Sequence, residues 1–254
     1  MEILDWVAIL GALAWTPHVI SMIRNAITKP EIRVISSRNA ELGFTTLGPI
    51  FNVRLAFSVK NHDIAVSGLK IRIIHQSGEE KLFEWQFIKQ QVFKMTTPDG
   101  SVLPYEKENS VLAIKLNQKE IEERTIQCQE TAFINEKTEY ESKALKKLVY
   151  LNSQPSFSND DFLGSQEMVD LYNYIKRSFS WKAGNYEVVV ELESPDDFEL
   201  VDHKFNFSLT PLDIEELEKN KGQIEVEYGK KAEAGDDQEI KAAWNWRNPI
   251  LRKA

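Results

Sequence analysis

Four histidines, a single cysteine and two Asp-bearing loops are the residues of this chain whose types could do metal or acid–base chemistry. His75 and His203 each fall on the apolar phase of an alternating run, so a shared metal or acid–base site is conceivable. No carboxylate or cysteine stands with them at a metal-like spacing, so two histidines satisfied by backbone is the stronger expectation. His18 and His62 lie elsewhere, in an apolar segment and in a turn. The loops Ser158-Asn159-Asp160-Asp161 and Ser194-Pro195-Asp196-Asp197 offer hard oxygens of the kind Ca²⁺ takes. Each alone supplies too few ligands, and these are also the ordinary turn residues. Cys128 sits between two glutamines with no histidine nearby, which predicts an inert thiol. The sequence shows no P-loop, dinucleotide fingerprint, H-E-x-x-H, G-x-S-x-G or paired C-x-x-C. The expectation is a non-enzymatic chain without a cofactor; a hydrolase using His75 or His203 is the alternative.

The other chemically distinctive cluster is near the C-terminus. After a stretch from Gly229 to Glu239 that reads as a linker come Trp244, Trp246, Pro249, Ile250 and Leu251, together with Lys241, Arg247, Arg252 and Lys253. Aromatic plus basic residues suit a membrane interface, a partner protein, or docking back on the domain. Four cations are few for stable lipid attachment, so Trp244, Trp246 and Arg247 are expected to bind a protein partner.

Among the elements that could position these groups, residues 3–23 form an apolar run whose one formal charge is Asp5. At about 1.5 Å per residue the run matches the roughly 30 Å hydrocarbon core of a bilayer. It is expected to span a membrane once, with Trp6, Ile9, Leu10, Leu13, Trp15 and Ile20 toward lipid. An in-plane helix and a docked core helix are the alternatives, because Pro17 and His18 interrupt the run. Arg24, Lys29, Arg33 and Arg38 all follow the run, which by the positive-inside rule leaves the rest of the chain in the cytoplasm. Gly11, Ala14, His18, Ser21 and Asn25 share one helical face of small or polar residues, a surface suited to helix–helix contact in lipid. A plain anchor is the equal alternative.

Beyond Pro30 the apolar period changes to two. Phe51 to Val59, Leu69 to Ile73, Phe83 to Phe87 and Leu112 to Leu116 alternate with polar residues, as half-buried strands do. Asn117 to Phe179 is expected to be a helical insertion, with Tyr140, Leu145, Leu148 and Leu151 at helical spacing and a second helix carrying Met168, Leu171, Tyr172 and Ile175. Strands resume at Tyr186–Leu192 and His203–Leu209. Thr210, Pro211 and Asp213 then read as a capped helix start. The turn Trp181-Lys182-Ala183-Gly184-Asn185-Tyr186, feeding alternate valines, resembles the late strand of immunoglobulin-like sandwiches, where such a Tyr bonds backbone at the sheet corner. The resemblance covers about 25 residues and concerns architecture alone. The expected fold is mainly β: an immunoglobulin-like antiparallel β-sandwich with a helical insertion at 117–179, preceded by the apolar helix of residues 1–29. The sandwich takes residues 30–228, and 229–254 form the linker and tail.

Composition bounds what such a chain can do. Its 254 residues carry 31 Lys plus Arg against 39 Asp plus Glu, a formal charge of -8. That acidity argues against a nucleic-acid partner, and one cysteine rules out an internal disulfide. With the apolar helix it leads to one functional expectation: a membrane-anchored binding or scaffold protein. It would meet the bilayer through the helix and present its β domain to a protein partner or a second copy. A structural subunit of a membrane complex, assembling through the Gly11–Asn25 face, is the alternative.

Overall fold

The computed structural model describes residues 15–20, 22, 28–96, 102–109, 113–155, 157–234 and 243–254. Strands dominate: β1 (Glu31–Thr45), β2 (Gly48–Lys60), β3 (Ile64–Val66), β4 (Gly68–His75), β5 (Glu80–Thr96), β6 (Val102–Asn109), β7 (Ile114–Leu116) and β8 (Ile121–Glu130) come first. Three helices follow, α1 (Thr131–Asn152), α2 (Asn159–Leu163) and α3 (Gln166–Arg177). The chain then returns to β9 (Gly184–Glu193), β10 (Glu199–Val201) and β11 (Lys204–Leu209). It ends with α4 (Pro211–Glu218), α5 (Gln223–Ala234) and the two-residue β12 (Arg252–Lys253).

The fold is mainly β, as expected, and most strands form a single ladder in the order β10-β1-β2-β8-β5-β4-β9-β11-β12, with β6 branching from β5. The β1–β10 pair is parallel. A separate pair, β3 and β7, lies outside that ladder. Inward residues of β2 and β4 are aliphatic or aromatic at every second position, so burying one face removes Phe51, Val53, Leu55, Phe57, Leu69, Ile71 and Ile73 from water. The sheet curls on that face. Phe51 of β2 and Phe207 of β11 have four strands between them in the ladder, yet their rings are 6.0 Å apart. Trp181 stacks on Phe83 at 5.9 Å, and Tyr186 stacks on Phe207 at 4.8 Å, giving the curl an aromatic filling.

The corner expected at Tyr186 is present: its hydroxyl donates to the Lys182 carbonyl and accepts from the Lys182 N–H, both at 2.8 Å. The Thr210 capping box is present too. Asp213 N–H donates to Thr210 Oγ1 at 3.2 Å and Thr210 N–H to Asp213 Oδ2 at 2.8 Å.

Two expectations need correcting. The helical insertion does not begin at 117, because residues 121–130 form β8, between β2 and β5 in the middle of the ladder. This strand buries two apolar side chains, Ile126 and Cys128; its third apolar residue, Ile121, is exposed and the rest are polar, so its alternation is faint in sequence. The helices begin at Thr131. Likewise the linker does not begin at Gly229: α5 runs to Ala234, held by Ile224 in the core, and its second half needs no apolar side chains to continue a helix already started.

At the other end, residues 15–20 and 22 are helical, and Trp15 and Ile20 are exposed. Among the described residues no helix is long and apolar enough to cross a membrane. Trp6, Ile9, Leu10, Leu13, Gly11, Ala14, Ser21 and Asn25, and with them most of the expected span and its proposed helix–helix face, lie outside the described residues. His18 meets Trp15, ring centroids 5.9 Å apart.

Candidate functional site

The histidines are not brought together. His75 ends β4 opposite Tyr186, whereas the His203 carbonyl accepts from Val190 N–H. Four residues along β9 separate the two levels, roughly 13 Å at about 3.3 Å per residue. His75 is also fully used. Ser77 N–H donates to its Nδ1 at 3.2 Å, which makes Nδ1 the acceptor, so Nε2 carries the proton and donates to the Ala183 carbonyl at 3.2 Å. Neither Asp-bearing loop offers a cation site. Ser158 accepts from Asp161 N–H as a helix cap, Ser194 Oγ accepts from Asp196 N–H, and Asp197 is paired with Lys29. Among the described residues no cluster of three His, Cys, Asp or Glu could hold a metal.

Cys128 faces the core, and burial pushes its thiol far above the ordinary range. Alkylation by iodoacetamide at pH 8 is expected to be negligible for the native chain and complete in denaturant, followed by intact-mass measurement. Rapid native labelling would place the thiol at an accessible surface.

The tail is where structure assembles a site. Leu42 and Arg247 exchange backbone hydrogen bonds at 2.7 and 2.9 Å, Ala40 N–H donates to the Pro249 carbonyl at 3.1 Å, and Leu251 N–H to the Arg38 carbonyl at 2.8 Å. Directly after Leu251, Arg252 and Lys253 pair with Asn206 and Phe205 of β11. The last eight residues therefore lie between β1 and β11 and join two sides of the curled sheet. Asn220, fully buried, fixes their approach: its side-chain amide donates to the Asn245 carbonyl and accepts from Asn245 N–H, both at 2.8 Å. Arg247 lies 3.4 Å from Asp213 and 3.5 Å from Glu216, on α4.

This gives Trp244, Trp246 and Arg247 defined places. They are expected to bind a protein partner; in this structure they dock back on the domain instead. Arg247 is engaged with α4. Trp246 lies on Gly43 so closely that any Cβ there would overlap its ring, while Trp181 Nε1 donates to the Gly43 carbonyl at 3.0 Å. Trp244 packs partly buried against the core.

The two tryptophans also wall a pocket of about 370 Å³ on the outer face of β1, β2 and β8. Its polar lining comes from Thr45 and Thr46, Asn52, Gln127 and Gln129, and Glu227 of α5. Thr46 donates to Glu227 at 3.0 Å. Asn52 sits directly across from Gln127 in the β2–β8 ladder, which places two amides side by side. These strand residues were not readable as a site. They occupy the polar phase of strands, which ordinarily faces water, and only the arrival of α5 and the tail covers them. The signal available was Ile50 on the same phase as Asn52, an apolar residue on a nominally exposed face.

A second feature belongs to the helices. A mostly apolar groove of about 490 Å³ runs among α1, α2, α3 and α5, lined by Leu145, Leu148, Phe162 and Met168. On its α1 side Leu145 and Val149 are 60% and 64% exposed. No family model, curated protein or solved structure matches this chain.

Proposed function

We propose that this chain is a membrane-anchored, non-enzymatic binding or scaffold protein whose cytoplasmic β domain receives a protein partner in the groove of its helical layer. The observation that carries this reading is the exposed aliphatic rim, Leu145 and Val149 one helical turn apart beside an apolar groove. The occupant that fits is an amphipathic helix with acidic flanks. The second half of α1, from Lys143 to Asn152, carries three lysines and no carboxylate around those aliphatic side chains.

The position of the groove supports a tether at the other end. Lys29 pairs with Asp197, and its carbonyl accepts from Asn61, so the segment that follows the apolar run enters at the start of β1 and the end of β2. The helices start beside the opposite, Thr45–Gly48 end, where Phe133 of α1 packs on Gly48. Up to about 50 Å of strand separates those ends, from the length of β1 and a rise of about 3.3 Å per residue. A bilayer at the first end lies at the end of the sheet opposite to the one where the helices start. The immunoglobulin-like description of the domain is part of the same proposal. It rests on the Tyr186 corner, and the continuous ladder from β10 to β12 is its departure from two stacked sheets.

The test is a double variant, Leu145→Asp with Val149→Asp, compared with the unaltered chain in affinity purification from detergent-solubilised membranes. Both positions are exposed, so stability is expected to change by about 1 kcal/mol or less for the pair while the co-purifying protein is lost. Retention of the same partner by the variant would sink the groove as its site. A wild-type chain that sediments at twice its mass, and a variant at its own mass, would make the occupant a second copy. Recovery of the full chain in the soluble fraction of broken cells would remove the anchor.

A further inference from the structure

We infer that the pocket walled by Trp244 and Trp246 binds a neutral, hydroxyl-bearing ligand of the saccharide class, about one ring in size. This site is separate from the helical groove, and the inference does not depend on the groove's occupant.

The first observation is an unsatisfied acceptor. Asn52 is 8% exposed, and its Oδ1 has no hydrogen-bond partner. Its orientation is chemically fixed, because its Nδ2 donates to Glu41 Oε2 at 2.9 Å and a carboxylate only accepts. The oxygen is therefore the atom left over. The oxygen is enclosed, so a donor reaches it only as its neighbours shift slightly. A buried acceptor without a donor costs about 1–3 kcal/mol, and a group that supplies the donor recovers that cost.

The second observation is the type of the remaining polar groups. Gln127, Gln129, Thr45 and Thr46 are amides and hydroxyls, each of which both donates and accepts. A ligand hydroxyl also does both and can pair with any of them. An ammonium or guanidinium group only donates, and would leave the amide N–H groups of the glutamines without an acceptor. A phosphate or carboxylate ligand only accepts, and would face Asn52 Oδ1 and Glu227. Glu227 is the one charged residue among the described lining, and Thr46 already donates to it, so the pocket does not present a free cation to an anion.

The third observation is the pair of indoles. An aromatic face is the negative end of a quadrupole and attracts the slightly positive C–H face of a pyranose ring, whose hydroxyls point outward around the rim. Trp246 is held by Gly43 beneath it, and Asn245 between the two tryptophans is bonded to Asn220, so both rings are placed before any ligand arrives. The volume of about 370 Å³ lies at the small end of ligand pockets, which run from about 300 to 1,000 Å³.

The experiment uses the full chain in detergent, titrated separately with D-glucose, D-galactose, N-acetyl-D-glucosamine and its β-linked disaccharide, and read by saturation-transfer NMR and calorimetry. Tetramethylammonium, methylguanidinium and inorganic phosphate form the comparison arms. Saturable binding of at least one sugar is expected, weakened by about tenfold or more in Asn52→Leu and in Gln127→Leu. Asn52→Leu removes the stranded acceptor, so its thermal midpoint is expected to equal or exceed that of the unaltered chain, which separates lost binding from lost folding. Gln127→Leu on the half-buried rim is the second variant should the first misfold. Binding of a cation or of phosphate in place of the sugars overturns the inference, as does a complete absence of sugar binding or sugar binding that both variants retain.

Discussion

A chain ending at Ala243 is expected to lose its native structure under conditions in which the full chain is folded. The missing residues supply the strand between β1 and β11. With them go the Leu42–Arg247 exchange, the Ala40–Pro249 and Arg38–Leu251 bonds, the Ala254–Lys204 bond and the two-way Asn220–Asn245 amide contact. At about 1 kcal/mol net for each hydrogen bond, and about 2 kcal/mol for buried Leu251, the loss passes roughly 5 kcal/mol before either tryptophan is counted. A domain of this kind has a total stability of about 5–15 kcal/mol. Two long sheet edges would also be left unpaired and open to aggregation. The measurement is urea unfolding by circular dichroism, with a synthetic peptide of residues 243–254 added in trans to restore the transition. An unchanged urea midpoint in the truncated chain would show that the tail is an accessory.

The same attachment has a pH signature. Asp202 is held below the ordinary carboxylate range, first by its hydrogen bond from Lys253 in the tail and then by the charges of Lys253, Arg33 and His203. A carboxyl whose folded value is depressed contributes stability above its unfolded value, near 3.8, and loses it as pH falls through the folded value. Asp202→Asn should therefore remove part of the acid dependence of tail release.

The second large effect is expected at Gly48→Ala. Gly48 closes the β1–β2 turn with φ of +76°, and a Cβ there would stand 2.5 Å from the Phe133 ring, the first large side chain of α1. The left-handed conformation costs about 1–2 kcal/mol for a residue with a Cβ, and forcing the ring aside costs about 1–3 more. Gly78 supplies the control. Its φ is +87° but nothing lies within 4 Å of the added carbon, so Gly78→Ala should carry the conformational cost alone. In a thermal or urea series Gly48→Ala should be clearly the worse of the two. Combined with Phe133→Ala, its effect should be less than additive, because the clash partner is gone. Equal losses at the two glycines would mean that α1 does not sit on this turn.

Much of this fold was readable locally. α3 shows Met168, Leu171, Tyr172 and Ile175 at helical spacing, and all four are buried. Thr210, Pro211 and Asp213 specified a helix start within four residues, because a capping box uses only near neighbours. β2, β4, β9 and β11 each repeat an apolar residue at every second position, and each forms a strand with that face buried. The tail's Trp-and-Arg cluster was legible as a contact element, though not its partner. β8 was not legible, since its polar positions are stabilised as a strand by β2 and β5 on either side, partners more than 30 residues away.

What the sequence alone determined, then, is the set of elements whose burial pattern or cap lies within a few residues: the mainly β character, the helical layer, the corner at Tyr186 and the acidic balance of the chain. What only the tertiary structure decided is how those elements meet. Leu42 pairs with Arg247 some 200 residues later, and Asn52, Gln127 and Glu227 converge under two tryptophans from three separate elements. Hydrophobic periodicity reports which face of a segment leaves water. It carries no record of which distant backbone will cover that face, or of which polar residues on the other face will be enclosed when it does.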